Sequence, residues 1–110
     1  MTIYIKDSSD LHKTIITSNE NENILIVCFT ASWCNPCQKI MSPLIETICK
    51  MHKSIKAVKV DVDDCEELAS ENNITSMPTL LFYKKNKLLE RLEGTDEDKF
   101  FEIVDKLITQ

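Results

Sequence analysis

No stretch of this chain is apolar for long enough to cross a bilayer: the longest uninterrupted run is Ile24 to Phe29, whereas a spanning helix needs about 20 such residues. The start, MTIYIKDSSDLHK, lacks a basic segment followed by an apolar one, so no export signal is expected and the chain reads as cytoplasmic. Basic residues are in deficit too. Thirteen Lys and Arg stand against 18 Asp and Glu, a formal net charge of −5, and without a local basic cluster such a surface repels phosphate backbones and acidic lipid. Nucleic acid and membranes are therefore not expected partners. Internal repeats and linkers are also missing. At 110 residues and 43% hydrophobic content the chain suits one domain, residues 1–110, with one core, acting as a monomer.

The cysteines lack an even count. Of five, only Cys34 and Cys37 are closely spaced, while Cys28, Cys49 and Cys65 stand alone, so no disulfide framework suggests itself. A structural zinc site wants four ligands, and one CxxC supplies two. The remaining candidates, His12, His52, Cys28, Cys49 and Cys65, include no second close pair. No metal or other cofactor is expected. A permanent disulfide across so short a loop would add little stability by the loop-entropy account. In a reducing compartment a disulfide is transient and catalytic, which favours a working dithiol over either alternative.

What is present alternates strands with helices. Thr2 to Ile5 is a short strand candidate, and Ser8 or Ser9 is placed to cap a helix reaching about Thr17 with Leu11, Ile15 and Ile16 inward. The polar patch SNENEN, Ser18 to Asn23, reads as a solvated loop. Ile24 to Thr30 is apolar and β-branched without alternation, the pattern of a central strand covered on both faces. It feeds directly into TASWCNPCQK. From Asn35 to about Lys53, Ile40, Met41, Leu44, Ile45, Ile48 and Cys49 recur at helical spacing, and Pro43 within this run predicts a kink.

Ile55 to Val62 alternates as a strand; Asp63 or Asp64 then caps a short helix, and Ile74 to Pro78 is a loop. Leu80 to Tyr83 and Leu88 to Leu92 flank KKNK as a hairpin, with Asn86 suited to a left-handed turn conformation and Gly94 closing the pair. Thr95 and Asp98 are spaced as a capping box for a last helix whose inner face is Phe100, Phe101, Val104, Leu107 and Ile108. The order βαβαβαββα implies an α/β fold, a mixed sheet with helices on both faces. The CxxC falls at the carboxyl end of a central strand, where open α/β sheets place functional sites.

At the first turn of its helix, the Cys34 sulfur faces unpaired backbone N–H groups and the positive end of the helix dipole, both of which favour thiolate. Lowering a thiol from about 8.5 to about 7 takes roughly 2 kcal/mol, the upper limit for a helix end, so hydrogen bonds from neighbouring N–H groups must contribute. Pro36 suits this early position because its missing donor would be orphaned there. Cys37, one turn inward, is the shielded thiol, which resolves the mixed disulfide formed by Cys34.

With these stretches in view, the sequence resembles the thioredoxin family over essentially its whole length. The matching stretches are ILIVCF, TASWCNPCQKIMSP, VKVDVDDCEELA, ITSMPT, and Gly94 before the last helix; VDVDDC and SMPT are especially similar to cytosolic thioredoxins of eukaryotes. The resemblance implies a five-stranded central sheet, protein-disulfide substrates such as peroxiredoxins, and rereduction by an NADPH-dependent thioredoxin reductase. It makes Cys34 the nucleophile, Cys37 the resolving cysteine and Pro78 a cis proline that turns the Met77 backbone toward a bound substrate strand. Thr75, Ser76, Met77, Pro78, Gly94 and Trp33 then form the substrate-binding surface, although Trp33 also reads as a half-buried core aromatic. Asn35, Pro36, Cys28 and Lys59 become the redox-tuning positions, and Lys59 reads equally as a family lysine that is buried or as one reaching the surface.

Three departures from that family stand out. Asn35 replaces a glycine between the cysteines, Asn86 replaces a hairpin glycine, and Cys28 occupies the position of a buried aspartate, which puts the proton-transfer step in question. Of the lone thiols, Cys49 reads as an inert core residue and Cys65 as an accessible one open to a regulatory or dimer-forming role. Two functional classes follow: a protein-disulfide reductase that cycles its dithiol, or an interaction or chaperone subunit whose dithiol no longer cycles. Retention of Trp33, Cys34, Pro36, Cys37 and Pro78 together favours the first.

Overall fold

A computed structural model describes residues 3–110. Helix α1 (Ser8–Glu20) leads to strand β1 (Ile24–Thr30); a π-helical turn (Cys37–Met41) runs into α2 (Ser42–Met51). Strand β2 (Ile55–Asp61), helix α3 (Glu66–Glu71), the hairpin β3 (Thr79–Lys84) and β4 (Lys87–Glu93), and helix α4 (Glu97–Thr109) complete the chain. The sheet order is β2-β1-β3-β4, with β1 parallel to β2 and antiparallel to β3, and β3 antiparallel to β4.

All seven residues of β1 are buried, and they divide by the strand's period of two. Ile24, Ile26 and Cys28 pack with Met41, Ile45, Ile48, Leu80, Phe82, Phe100, Val104 and Leu107 on the face covered by α2 and α4. Leu25, Val27 and Phe29 pack with Leu11, Val58, Val60, Leu68 and Leu81 on the face covered by α1 and α3. Each such apolar side chain contributes about 1.5–3 kcal/mol on burial. The parallel β1–β2 pair requires a crossover, and α2 supplies it.

The expected fifth strand is not a strand among the described residues. Tyr4 forms an isolated parallel bridge with Lys59, made by Ile5 N–H to Lys59 O at 2.8 Å and Lys59 N–H to Ile3 O at 2.9 Å. Thr2, the start of that expected strand, lies outside the described residues. Among the described residues the sheet therefore has four strands, with an N-terminal segment bridged to its β2 edge.

Around Pro43 the helical segment changes its hydrogen-bond pattern. The turn before it widens, so the Ser42 N–H donates five residues back to Cys37 O, and the proline falls in the first turn of α2 where it needs no donor. The hairpin turn uses two left-handed residues, Lys85 at φ +54° and Asn86 at +63°, as a two-residue hairpin of the I′ kind requires.

The expected caps move. Asp7, not Ser8 or Ser9, caps α1 by accepting from the Asp10 N–H at 2.8 Å, and α1 extends through Glu20, so only Asn21–Asn23 of the polar patch is a turn. Asp61 accepts from the Asp63 and Asp64 N–H groups, leaving neither of those aspartates as the cap of α3. Asp96, not Thr95, caps α4 through the Lys99 N–H at 3.0 Å. Asp96→Ala should therefore cost about 1 kcal/mol in urea unfolding, with Thr95→Ala staying within about 0.5 kcal/mol; a larger cost for Thr95→Ala than for Asp96→Ala would return the cap to Thr95.

Candidate functional site

Strand β1 ends at Thr30 and the chain turns at once into Ala31–Cys34, with the Cys34 N–H donating to Ala31 O at 3.1 Å. Cys34 and Cys37 form a disulfide with Cα atoms 5.3 Å apart. The Cys37 N–H points at Cys34 Sγ, 3.3 Å away. This is the kind of backbone donor that favours a thiolate at a helix start. Gln38 braces the turn from below, its Nε2 donating to Ala31 O at 3.0 Å.

The second half of the site arrives from about 40 positions later. The Met77–Pro78 peptide is cis, and Met77 packs with Val62 against the cluster of Ala31, Cys34 and Cys37. Trp33, Cys34, Asn35, Pro36, Thr75, Ser76 and Met77 line one cleft of about 570 Å³ together with Val62, Ala69 and Ile74. Cys34 borders that cleft and Cys37 does not. The oxidised cysteines differ little in exposure, 4% and 1%, so it is access from the cleft that separates them.

Trp33 is no core aromatic: 66% of it is exposed, and its Nε1 donates to Asp63 Oδ2 at 2.9 Å. Gly94 lies off the cleft, at φ +87°, where a side chain is strained, and its N–H donates to Pro78 O at 2.8 Å. Thr79 Oγ1 donates to Ser76 O at 2.7 Å, a second tie on the same loop. Val62, Ala69, Ile74, Asp63, Gln38 and Thr79 were not singled out as site residues from sequence. Asp63 does carry a signal, since it closes the VDVD stretch just past β2, but by sequence alone that position equally suits a helix cap.

Cys28 and Lys59 are neighbours across the β1–β2 pair, away from the cleft. Lys59 is half-buried, and its Nζ donates to Ser42 Oγ. Burial pushes the Cys28 thiol up to about 12, with the Lys59 charge opposing the shift. A thiol held this far up is neutral near pH 7 and is no proton acceptor there. The other two lone thiols are also raised: Cys49 by desolvation against the opposing charge of Lys56, and Cys65 by desolvation and then by Asp64, Asp61, Asp7 and Asp10. Cys65 is buried, its Sγ 3.4 Å from the carbonyl oxygens of Ile5 and Lys6, which corrects its expected accessibility. Among the described residues no cluster of three or more metal-ligating side chains occurs.

A dithiol at the carboxyl end of a central strand, opposite a cis-proline loop and open to one cleft, defines a thiol-disulfide oxidoreductase of the α/β type. The chain belongs to the thioredoxin family, whose model matches residues 3–106. It is similar to thioredoxin from Sus scrofa, 32% identical over 91 residues that cover 83% of this chain and 86% of that one. Thioredoxin-1 from Caenorhabditis elegans is 44% identical over 78 residues, 71% of this chain and 67% of that one. The solved structure of Fasciola hepatica thioredoxin superposes with a TM-score of 0.86 at 32% identity, covering 96% of this chain and 98% of the other. As a member of this family the chain is an enzyme acting on disulfide-containing substrates.

The Cys28 thiol generates a pH prediction. The folded chain keeps this proton while the unfolded chain releases it near the ordinary value of 9.0. Its contribution is therefore complete below that value and is lost as pH rises toward the folded value. In urea unfolding, the stability difference between the parent and Cys28→Ala should be flat below about pH 9 and then shrink, by up to about 1.4 kcal/mol per pH unit. A difference that stays constant to about pH 10.5 would show that Cys28 ionises freely.

Proposed function

We propose that this chain, as one domain spanning residues 1–110, is a cytoplasmic protein-disulfide reductase whose dithiol is returned to the reduced state by an NADPH-dependent thioredoxin reductase. The observation that carries this reading is the Cys34–Cys37 disulfide at the edge of the cleft shared with Met77. The Cys34 thiolate attacks a substrate disulfide, forming a Cys34–substrate bond and expelling one substrate thiolate. Cys37 then loses its proton and attacks Cys34 Sγ, forming the internal disulfide and expelling the second substrate thiolate. Two electrons pass to the substrate, and NADPH replaces them through the reductase.

In this reading Trp33 with Thr75, Ser76 and Met77 receives an extended substrate segment, and the Met77 backbone beside cis-Pro78 supplies strand-like hydrogen bonds. Gly94 acts from behind by tying Pro78 O. Asn35 and Pro36 set the electrostatics between the sulfurs. Cys28 contributes apolar packing and no base, so the Cys37 proton leaves to solvent or to the departing substrate sulfur. Peroxiredoxins and other proteins with accessible disulfides are the substrates this surface suits.

The decisive assay couples NADPH oxidation, through a thioredoxin reductase, to reduction of a test protein disulfide. Turnover is expected for the parent and none for Cys34→Ser, while Cys37→Ser accumulates mixed disulfides with its substrates. Faster alkylation of Cys37 than of Cys34 in the reduced protein would reverse the assignment of roles. A further variant addresses the missing carboxylate. Cys28→Asp should lower the stability of the oxidised protein by roughly 1–3 kcal/mol, since it buries a polar group in the core, while speeding release of the mixed disulfide by giving it a base. An aspartate variant as stable as the parent and no faster in single turnover would sink that idea.

A further inference from the structure

Arg91 sits on β4, far from the dithiol in sequence and absent from the cleft lining. Its guanidinium nevertheless reaches the segment that carries the cleft's second wall: Nη1 donates to Asn72 O at 2.8 Å and Nη2 to Asn73 O at 2.7 Å. Those carbonyls follow the end of α3, where the chain closes in a Schellman arrangement. Asn73 is left-handed at φ +54°, its N–H donates to Ser70 O at 3.1 Å, and the Ile74 N–H donates to Ala69 O at 3.0 Å. The exposed carbonyl oxygens of a helix end attract a cation, and a planar guanidinium meets two of them with a separate nitrogen each, in a fixed geometry that a freely rotating ammonium does not impose. One residue further on begins the stretch Ile74–Met77 that lines the cleft.

The Ile74–Met77 loop is thus anchored at two ends. Its far end is tied by Thr79 Oγ1 to Ser76 O and by the Gly94 N–H to Pro78 O. Its near end is tied by the Arg91 fork. Both Arg91 and Gly94 belong to the β4 side of the hairpin, so the edge strand sets the loop's position from both directions. Arg91 also approaches Glu93 at 3.8 Å, an exposed pair of little energetic weight.

We propose that Arg91 is a positioning residue for substrate recognition: by clamping Asn72 O and Asn73 O it holds Thr75, Ser76 and Met77 at the distance from Cys34 that a bound protein segment needs. The proposal rests on the reading of this loop as the substrate wall. A protein disulfide docks along the loop, whereas a small aryl disulfide needs only the Cys34 sulfur. Loss of the clamp therefore weakens docking and leaves the thiol chemistry as it was.

The test compares Arg91→Met, which keeps an apolar stem without donors, with Arg91→Lys, which keeps the charge without the fork. Arg91→Met should raise KM for a protein disulfide such as that of insulin by about three- to tenfold, with kcat, reduction potential and the rate with a small aryl disulfide unchanged. Arg91→Lys should fall between it and the parent, and Glu93→Gln should match the parent. Amide exchange at Asn73 and Ile74 should quicken in Arg91→Met. An unchanged KM, or equal losses with both disulfides, would overturn the role of Arg91 while leaving the reductase reading intact. A parent protein that fails to reduce insulin would instead overturn the reductase reading, and this proposal with it.

Discussion

Everything in this molecule depends on β1 being buried on both faces. A strand with no solvent face must satisfy its backbone on both edges, because buried N–H and C=O groups without partners are costly. The strand does so with β2 on one side and β3 on the other. The parallel neighbour demands a crossover, the crossover is α2, and the junction between β1 and the start of its helix is where Ala31, Cys34 and Cys37 lie. The dithiol thus sits where a rigid strand gives way to helical N–H groups. Rigidity and the positive helix end come from one topological fact.

The second wall of the cleft depends on the hairpin. Strand β3 follows directly from cis-Pro78, so pairing β3 with β1 brings Met77 to the disulfide. Arg91 of β4 and Gly94, just past its end, then tie the two ends of that loop. With a neutral cysteine at position 28, Lys59 has the Ser42 hydroxyl as its partner and that core face carries no ionised group there. The Cys28 thiol serves that face by packing.

Particular residues show where a sequence reading holds and where it slips. The dithiol, the order of the elements from α1 onward and the two-faced burial of β1 are legible, because each is written in a local motif or in an uninterrupted pattern, while the cis proline is legible only through the family resemblance. Helix starts slipped by one or two residues. In KDSSD, VDVDD and GTDED several neighbours are competent caps, and only the backbone conformation decides which carboxylate meets an N–H. Ile40 was expected inward, yet it is 42% exposed. The π-helical turn adds a residue ahead of Pro43 and shifts the phase of the stripe. Phe101 likewise lies outward, its ring T-shaped to that of Phe100, while Ile103, not anticipated, is buried.

By itself, then, the sequence determined the elements from α1 onward, apart from the π-helical turn, together with their order and the closely spaced cysteine pair, since periodicity and spacing act over a few residues and need no knowledge of neighbours. Only the tertiary structure decided which distant residues meet: Met77 and Val62 on the disulfide, Trp33 on Asp63, Lys59 on Ser42, and Arg91 on Asn72 and Asn73. Those contacts follow from strand order and register. A shift of register by one residue would turn Arg91 to the other face of the sheet, and no local pattern around Arg91 announces which carbonyls it will find.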